Sequence, residues 1–335
     1  MKFGIYSSIA APPRGEHIER AIDEVIAEAQ LAESVGFDSC FFGEHHQDRD
    51  GFLPSPLIVA TAVAARTRTL RVGTSVILLP LYHPIRVAED AITLDLVAKG
   101  RVVLGVGIGY QPADFQAFGV PMEERVARFE ESVAILRLAW AGEPFSFKGA
   151  HYAFDSVRVT PRPFQAGGPP LWIGANVPPA ARRAGRLADA FVGTPSTGLA
   201  TATRLIEIYR HAAGEAGRTP RVVLMRDAWV APTHAEAEAV YGPHVMTAYR
   251  YYWENRIAEF RSLPADTPFT LETLATDRVI LGEPETVVRE FQRWQRVTGA
   301  EYCLLRLRHA HSGGPPHEEI MKAIRLFGER VLPHC

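Results

Sequence analysis

Cysteine is scarce in this chain, and no stretch of it stays apolar for long. Among 335 residues the only thiols are Cys40, Cys303 and Cys335, too few and too scattered for a disulfide framework. Apolar runs such as residues 57–65 fall far short of the roughly 20 residues that a membrane-spanning helix needs. An excess of one charge is also missing, since 36 Lys and Arg stand against 38 Asp and Glu, a formal net charge of −2. Nucleic acids and anionic membranes therefore find no electrostatic footprint. The opening Met1-Lys2-Phe3-Gly4-Ile5-Tyr6 lacks the apolar core of a signal peptide and enters a strand at once. The expectation is a soluble, cytoplasmic protein with neither membrane nor nucleic-acid partner.

What the chain does contain is a steady alternation. Apolar residues make up 47% and charged residues 22%, a globular composition. Short β-branched runs predict strands over 2–7, 38–43, 70–79, 101–107, 170–174, 189–192, 221–231 and 300–307. Helical spacing predicts helices over 16–35, 56–67, 84–98, 123–141, 178–188, 199–216, 283–298 and 317–331. Residues 145–159 alternate aromatic and polar side chains around Lys148-Gly149, which predicts an inserted hairpin. Residues 233–277 are rich in Tyr and Glu and read as helical, then irregular. Eight strand–helix units with continuously apolar strands predict an α/β protein, a closed parallel (β/α)8 TIM barrel over residues 1–335. It carries the hairpin and a helical insertion after strand 7. An open doubly wound sheet in two domains fits the pattern less well. In such a barrel the functional groups belong at the C-terminal ends of the strands.

Three of those ends are chemically distinctive. The second strand runs into Gly43-Glu44-His45-His46, a dense set of titratable groups at the barrel mouth. Strand alternation sends Glu44 and His46 one way and His45 the other, so the three do not converge on a metal ion without a bulge. The same residues also suit a solvated loop. The fourth strand ends in Gly105-Val106-Gly107-Ile108-Gly109, whose glycines admit a flat ligand or a phosphate close to the backbone. Its Gly-X-Gly-X-Gly spacing is not the Gly-X-Gly-X-X-Gly of a dinucleotide fingerprint. The fifth strand ends in Gly174-Ala175-Asn176 before Pro178-Pro179, and the free amides of that helix start attract an anion. Arg125 and Arg128, three apart on a helix, are candidate phosphate contacts or a solvated face. His309 and His311 follow the last strand without an adjacent carboxylate and read as loop residues, a lid, or a second anion site.

In order and spacing these pieces resemble the bacterial luciferase-like family of flavin-dependent oxidoreductases. The resemblance covers almost the whole chain. It rests on Gly36-Phe37-Asp38, Glu44-His45-His46, Arg71-Val72-Gly73-Thr74, His83 to Asp90, Lys99-Gly100-Arg101, Leu104-Gly105-Val106-Gly107, Asp114-Phe115, Phe118-Gly119, Pro161-Arg162-Pro163 and Gly282-Glu283-Pro284. It implies a barrel holding FMN, or in one branch a deazaflavin. It also implies a non-proline cis peptide between Ser75 and Val76 behind the flavin ring. Gly107, Ile108 and Gly109 match the segment beside the ring, and Ala175 and Asn176 match the phosphate segment; Gly174 just before them and the Arg125 guanidinium are further cofactor-binding candidates. His45 matches the histidine that assists oxygen chemistry, and Glu44 joins it as a catalytic candidate. Two departures from luciferase stand out. Ile108 occupies an arginine position, and Pro178 and Pro179 occupy hydroxyl positions, so phosphate binding leans on other groups and light emission is not expected.

The activity implied is oxygenation of a small, largely apolar organic substrate by reduced FMN and O2 through a peroxyflavin, in a site closed to water. No nicotinamide fingerprint exists, so a separate flavin reductase is the expected source of FMNH2. A deazaflavin-dependent hydride transfer on the same barrel is the alternative. A metal-dependent hydrolase using the histidines and a non-catalytic flavin-binding subunit are the other classes, and no metal is expected. The resemblance further implies a homodimer. The helices over 56–67 and 84–98 would form its interface through Leu57, Ile58, Val59, Ala62, Val63 and Ala64 on one and Val87, Ala88, Ala91, Ile92, Leu94 and Leu96 on the other, with Glu89 near His46; the alternative is that both bury this wide face against their own barrel.

Overall fold

A computed structural model describes residues 1–255, 257, 259–260, 263–264 and 266–335. Eight parallel strands close on themselves: β1 (Lys2–Ser7), β2 (Ser39–Phe42), β3 (Arg71–Thr74) with its continuation β4 (Ile77–Leu78), β5 (Val102–Gly107), β8 (Leu171–Gly174), β9 (Ala190–Val192), β10 (Val222–Val230) and β12 (Tyr302–Arg308). The antiparallel pair β6 (Phe145–Lys148) and β7 (Ala153–Val157) is the expected hairpin. Around the barrel run α1 (Ile18–Ser34), α2 (Pro56–Arg66), α3 (Pro84–Ala98), α5 (Arg125–Trp140), α6 (Pro178–Leu187), α7 (Leu199–Glu215), α10 (Pro284–Thr298) and α11 (His317–Arg330). The short α4 (Pro112–Ala117) follows β5, and α8 (His234–Glu254) and α9 (Leu271–Ala275) make up the insertion after β10. The fold is the expected (β/α)8 barrel.

Two hydrophobic layers hold it. Inside the barrel, Phe41 stacks on Trp172 at 5.1 Å, and Trp172 meets Tyr302 edge-on at 5.5 Å, with Val103, Val223, Met225 and Leu304 filling the rest. Outside, the strands' other faces bury Ile5, Cys40, Val72, Leu104 and Leu305 under the helices. This alternation is the period-2 pattern of strands with a core on both faces.

Three details depart from the sequence pattern. The third strand is not continuous over 70–79. Gly73 pairs with Val103 and Ile77 with Val106, so three residues, 74 to 76, stand opposite two, 104 and 105. That extra residue is a bulge, which re-aims a side chain at a barrel rim, and the peptide between Ser75 and Val76 within it is cis, as expected. A ninth strand, β11 (Val279–Gly282), pairs with the end of β10. β12 occupies one edge of β10, while β9 covers the start of the other edge and β11 its end.

The third departure concerns the two candidate interface helices. Val59, Val63 and Ala64 of α2 and Val87, Ala88, Ala91, Ile92 and Leu94 of α3 are buried within the chain's own core. These helices face the barrel with the wide apolar side that the sequence offers to a partner. What they leave exposed is Ile58 at 72%, Val97 at 42% and Leu96 at 39%. Glu89 pairs with Arg86 at 3.9 Å, and His46 is taken by Glu44.

Candidate active site

The residues after β2 divide as strand alternation requires. Glu44 turns inward behind the barrel rim and is buried. Its Oε1 accepts from Nε2 of His46 at 2.5 Å and from the Tyr82 hydroxyl at 2.7 Å, and its Oε2 accepts the Leu78 amide at 2.7 Å. His45 faces the other side, where its ring meets Phe52 edge-on at 4.8 Å and Tyr110 at 6.2 Å. Nδ1 of His45 accepts the Gln111 side-chain amide at 3.2 Å, which leaves the proton on Nε2.

The two imidazoles are driven apart in protonation. Burial, then the charges of His311 and His46, push His45 down to about 4. Burial also works against a charged His46. Its bond to Glu44 and the charges of Glu44, Asp114 and Asp48 outweigh that and raise it above the usual histidine range. Asp48, on the loop beyond, is pushed up to about 6 by burial and by Asp50 and Asp114. His45 is thus a neutral imidazole in an aromatic wall, able near neutral pH to donate a hydrogen bond from Nε2.

Beside it lies a flat platform. The bulge carries the Val76 side chain across the barrel mouth toward β5 and β8. Both strands end in glycine there. A Cβ on Gly107 would lie 2.6 Å from Val76 Cγ2, and one on Gly174 would lie 3.1 Å from Cγ1. Only residues without side chains let the isopropyl group settle between them. Ser75 Oγ is buried with no hydrogen-bond partner among the described residues. A flat ring resting on Val76, with Gly107 and Gly109 alongside, meets no side chain from these strand ends, so the residues present fit a flavin. The phosphate end fits less fully. Ala175 is buried and Asn176 exposed ahead of α6, but Pro178 and Pro179 carry no N–H and leave Ala180 as the sole amide among the first three helical residues. Arg125 donates to the Met122 carbonyl at 2.7 Å, and Arg128 pairs with Glu124 at 2.8 Å. Ile108 is partly buried against the outer core.

The floor of the mouth is ionic. Asp227 takes Nε and Nη2 of Arg306 at 2.7 and 2.9 Å and the Tyr249 hydroxyl at 3.1 Å. Tyr241 donates to the Arg306 carbonyl, and Arg306 Nη1 donates to the Tyr252 hydroxyl at 2.7 Å. His309, read as a loop residue without a carboxylate, is instead fully buried, with Nε2 3.7 Å from Asp227. His311 likewise lies 3.6 Å from Asp50 and stacks on Tyr251 at 3.9 Å. Neither carboxylate is near in sequence, so no local pattern discloses these pairs. The signal available was a charge inside an apolar strand, Asp227 in β10 and Arg306 in β12. Gln111 and Tyr82 carry no comparable mark. One further cluster, Glu24, Glu28 and His317, has metal-ligating chemistry, but Arg308 already sits on both carboxylates at 2.8 and 2.5 Å.

A model of the luciferase-like monooxygenase family matches residues 1–301. The chain belongs to the luciferase-like monooxygenase family. It is an oxidoreductase of a family that includes both FMN-dependent monooxygenases and F420-dependent enzymes. The F420-dependent glucose-6-phosphate dehydrogenase of Microbacterium testaceum is 30% identical over 325 residues, covering 93% of each chain. The monooxygenase RslO1 of Streptomyces bottropensis superposes with a TM-score of 0.85 at 28% identity, over 100% of this chain and 99% of that one. The oxygenating constituent of 3,6-diketocamphane monooxygenase from Pseudomonas putida, solved with FMN, gives 0.84 at 25% identity over 99% and 98%. Among the described residues of this luciferase-like chain, no helix is long and apolar enough to cross a membrane.

Proposed function

We propose that this chain is the oxygenating component of a two-component flavin monooxygenase. It takes reduced FMN from a separate reductase, acts with O2 on a small, uncharged, largely apolar substrate, and works as a homodimer. Bound reduced FMN would supply two electrons and the activated oxygen, one atom of O2 entering the substrate and the other leaving as water. Val76, Gly107 and Gly109 would support the ring, and residues 174–176 would lie toward the phosphate. His45 keeps a proton on Nε2 and would offer it as a hydrogen bond toward the oxygen that the bound cofactor activates. Gln111 keeps that tautomer, and Phe52 and Tyr110 flank the ring.

The observation that carries this reading is the neutral, amide-oriented His45 in its aromatic wall. The competing reading is F420-dependent hydride transfer, as the names of several relatives suggest. A sugar phosphate would find no free cation among the arginines of β10 and β12. The arginines that β10 and β12 bring to the mouth already have acceptors: Arg306 on Asp227, Arg308 on Glu24 and Glu28, Arg226 on the carbonyls of Thr194 and Thr197. Anaerobic titration with FMN, reduced FMN and deazaflavin, followed by oxygen-uptake measurement, tests the proposal. Tight binding of reduced FMN and oxygen uptake coupled to product support it. Deazaflavin binding with hydride transfer and no oxygen uptake would overturn it.

A further inference from the structure

Glu44 is fully committed at the rim of the barrel mouth. Its side chain is 0% exposed, and three donors converge on it: the Leu78 amide, the Tyr82 hydroxyl and the His46 imidazole. A carboxylate so enclosed reaches neither substrate nor a flat ring on Val76, so it has no direct part in proton transfer. Its partners say what it does instead. Leu78 lies in β4, two residues beyond Val76, and Tyr82 closes the 3-10 turn Leu79–Leu81 that follows. The carboxylate therefore fastens both ends of the segment that starts at the platform. Its third bond fixes the ring of His46, which rests on Phe118 at 4.6 Å.

We propose that Glu44 is a positioning residue, which ties the β4 segment beneath Val76 to His46 and so leaves His45 as the one imidazole of the pair that serves the mouth. The proposal rests on the flavin reading only for what Val76 supports. The electrostatics follow from the geometry. His46 faces Glu44, Asp114 and Asp48, which favour its charged form, while His45 faces His311, His46 and Arg306 against Asp50 alone. Charge on His46 works against a second proton on His45. Adjacent histidines are thereby driven apart, the charged form favoured in His46 and the neutral form in His45, the division by environment that acid–base sites use. Removing the charge of Glu44 should release both, His46 downward and His45 upward.

Histidine-resolved NMR titration of the full chain without cofactor, together with FMN binding followed by flavin fluorescence, tests this. In Glu44→Gln, His46 should titrate at least about one pH unit lower and His45 higher, since a lost charged hydrogen bond shifts a titration on that scale. In Glu44→Asp the charge stays but the reach shortens. His46 should then remain raised while FMN affinity falls by about tenfold, the worth of about 1.4 kcal/mol. Tyr82→Phe, which removes one donor and leaves the others, serves if Glu44→Gln does not fold, and should weaken FMN binding with little change in either histidine. Unchanged titrations in Glu44→Gln would overturn the proposal, as would unchanged FMN affinity in Glu44→Asp. If the wild type binds deazaflavin and not FMN, the flavin reading fails, and the histidine titrations still decide the role of Glu44.

Discussion

Gln111 donates its side-chain amide to Nδ1 of His45 across 3.2 Å, joining the loop after β5 to the end of β2. Replacing His45 by Ala should leave the fold and flavin binding intact and lower oxygenation by about 10²–10³-fold, the usual worth of a hydrogen-bond donor aimed at developing charge. Gln111→Leu should cost less, about fivefold to tenfold, because it removes one neutral hydrogen bond of about 1 kcal/mol. Product formation under saturating reduced FMN measures both. Normal turnover in His45→Ala would remove that imidazole from the reaction.

His45 also links stability to pH. Its folded value, about 4, lies below the ordinary histidine value of about 6.5, so the fold favours the neutral ring. That contribution is intact above about pH 6.5 and is lost as pH falls toward 4. The denaturant midpoint of the wild type minus that of His45→Gln should therefore shrink across this window. A difference that stays flat would place the acid sensitivity on other groups.

Asp227 and Arg306 form a buried pair, and removing one partner strands the other. Asp227→Ala should destabilise the chain by about 3–5 kcal/mol, read as urea denaturation. Tyr249→Phe, which deletes one hydroxyl from the same carboxylate, should cost only about 1 kcal/mol.

Gly107 and Val76 compete for one space. Gly107→Ala places a methyl 2.6 Å from Val76 Cγ2 and should displace the platform, weakening FMN binding by about tenfold or more, a change of about 1.4 kcal/mol. Adding Val76→Ala should restore part of the affinity. Equal affinity in Gly107→Ala and wild type would argue against a ring resting on Val76.

Assembly has its own test. Ile58, Leu96 and Val97 are the exposed apolar residues of α2 and α3. Sedimentation should give about twice the chain's 37.0 kDa, and Ile58→Glu should halve that mass with the fold kept. Ala91→Glu should instead unfold the chain, since Ala91 is fully buried.

The barrel was legible because its strands carry short, mostly apolar runs at regular spacing and each helix a matching stripe. Two strand features were not. β11 spans four residues behind an irregular stretch, too few to show a period. The bulge at residues 74–76 depends on a register between β3 and β5 that no local sequence encodes. At the site, Glu44, His45 and His46 stood out by type and position, and their opposite directions followed from strand alternation. The pairs His309–Asp227 and His311–Asp50 join residues 82 and 261 positions apart, and only the closed barrel brings them together. The inward packing of α2 and α3 was hidden because an apolar face looks the same whether its own barrel or a second chain covers it.

The three phenols that α8 sends to the barrel floor make this insertion a poor candidate for exchange. Tyr241, Tyr249 and Tyr252 satisfy the carbonyl and guanidinium of Arg306 and the carboxylate of Asp227. A donor helix from another barrel, grafted in their place, would leave that charge pair short of partners in a setting where water does not reach it. Selectivity in this scaffold is therefore better redesigned from the loop after β2 than by transplanting the longest element above it.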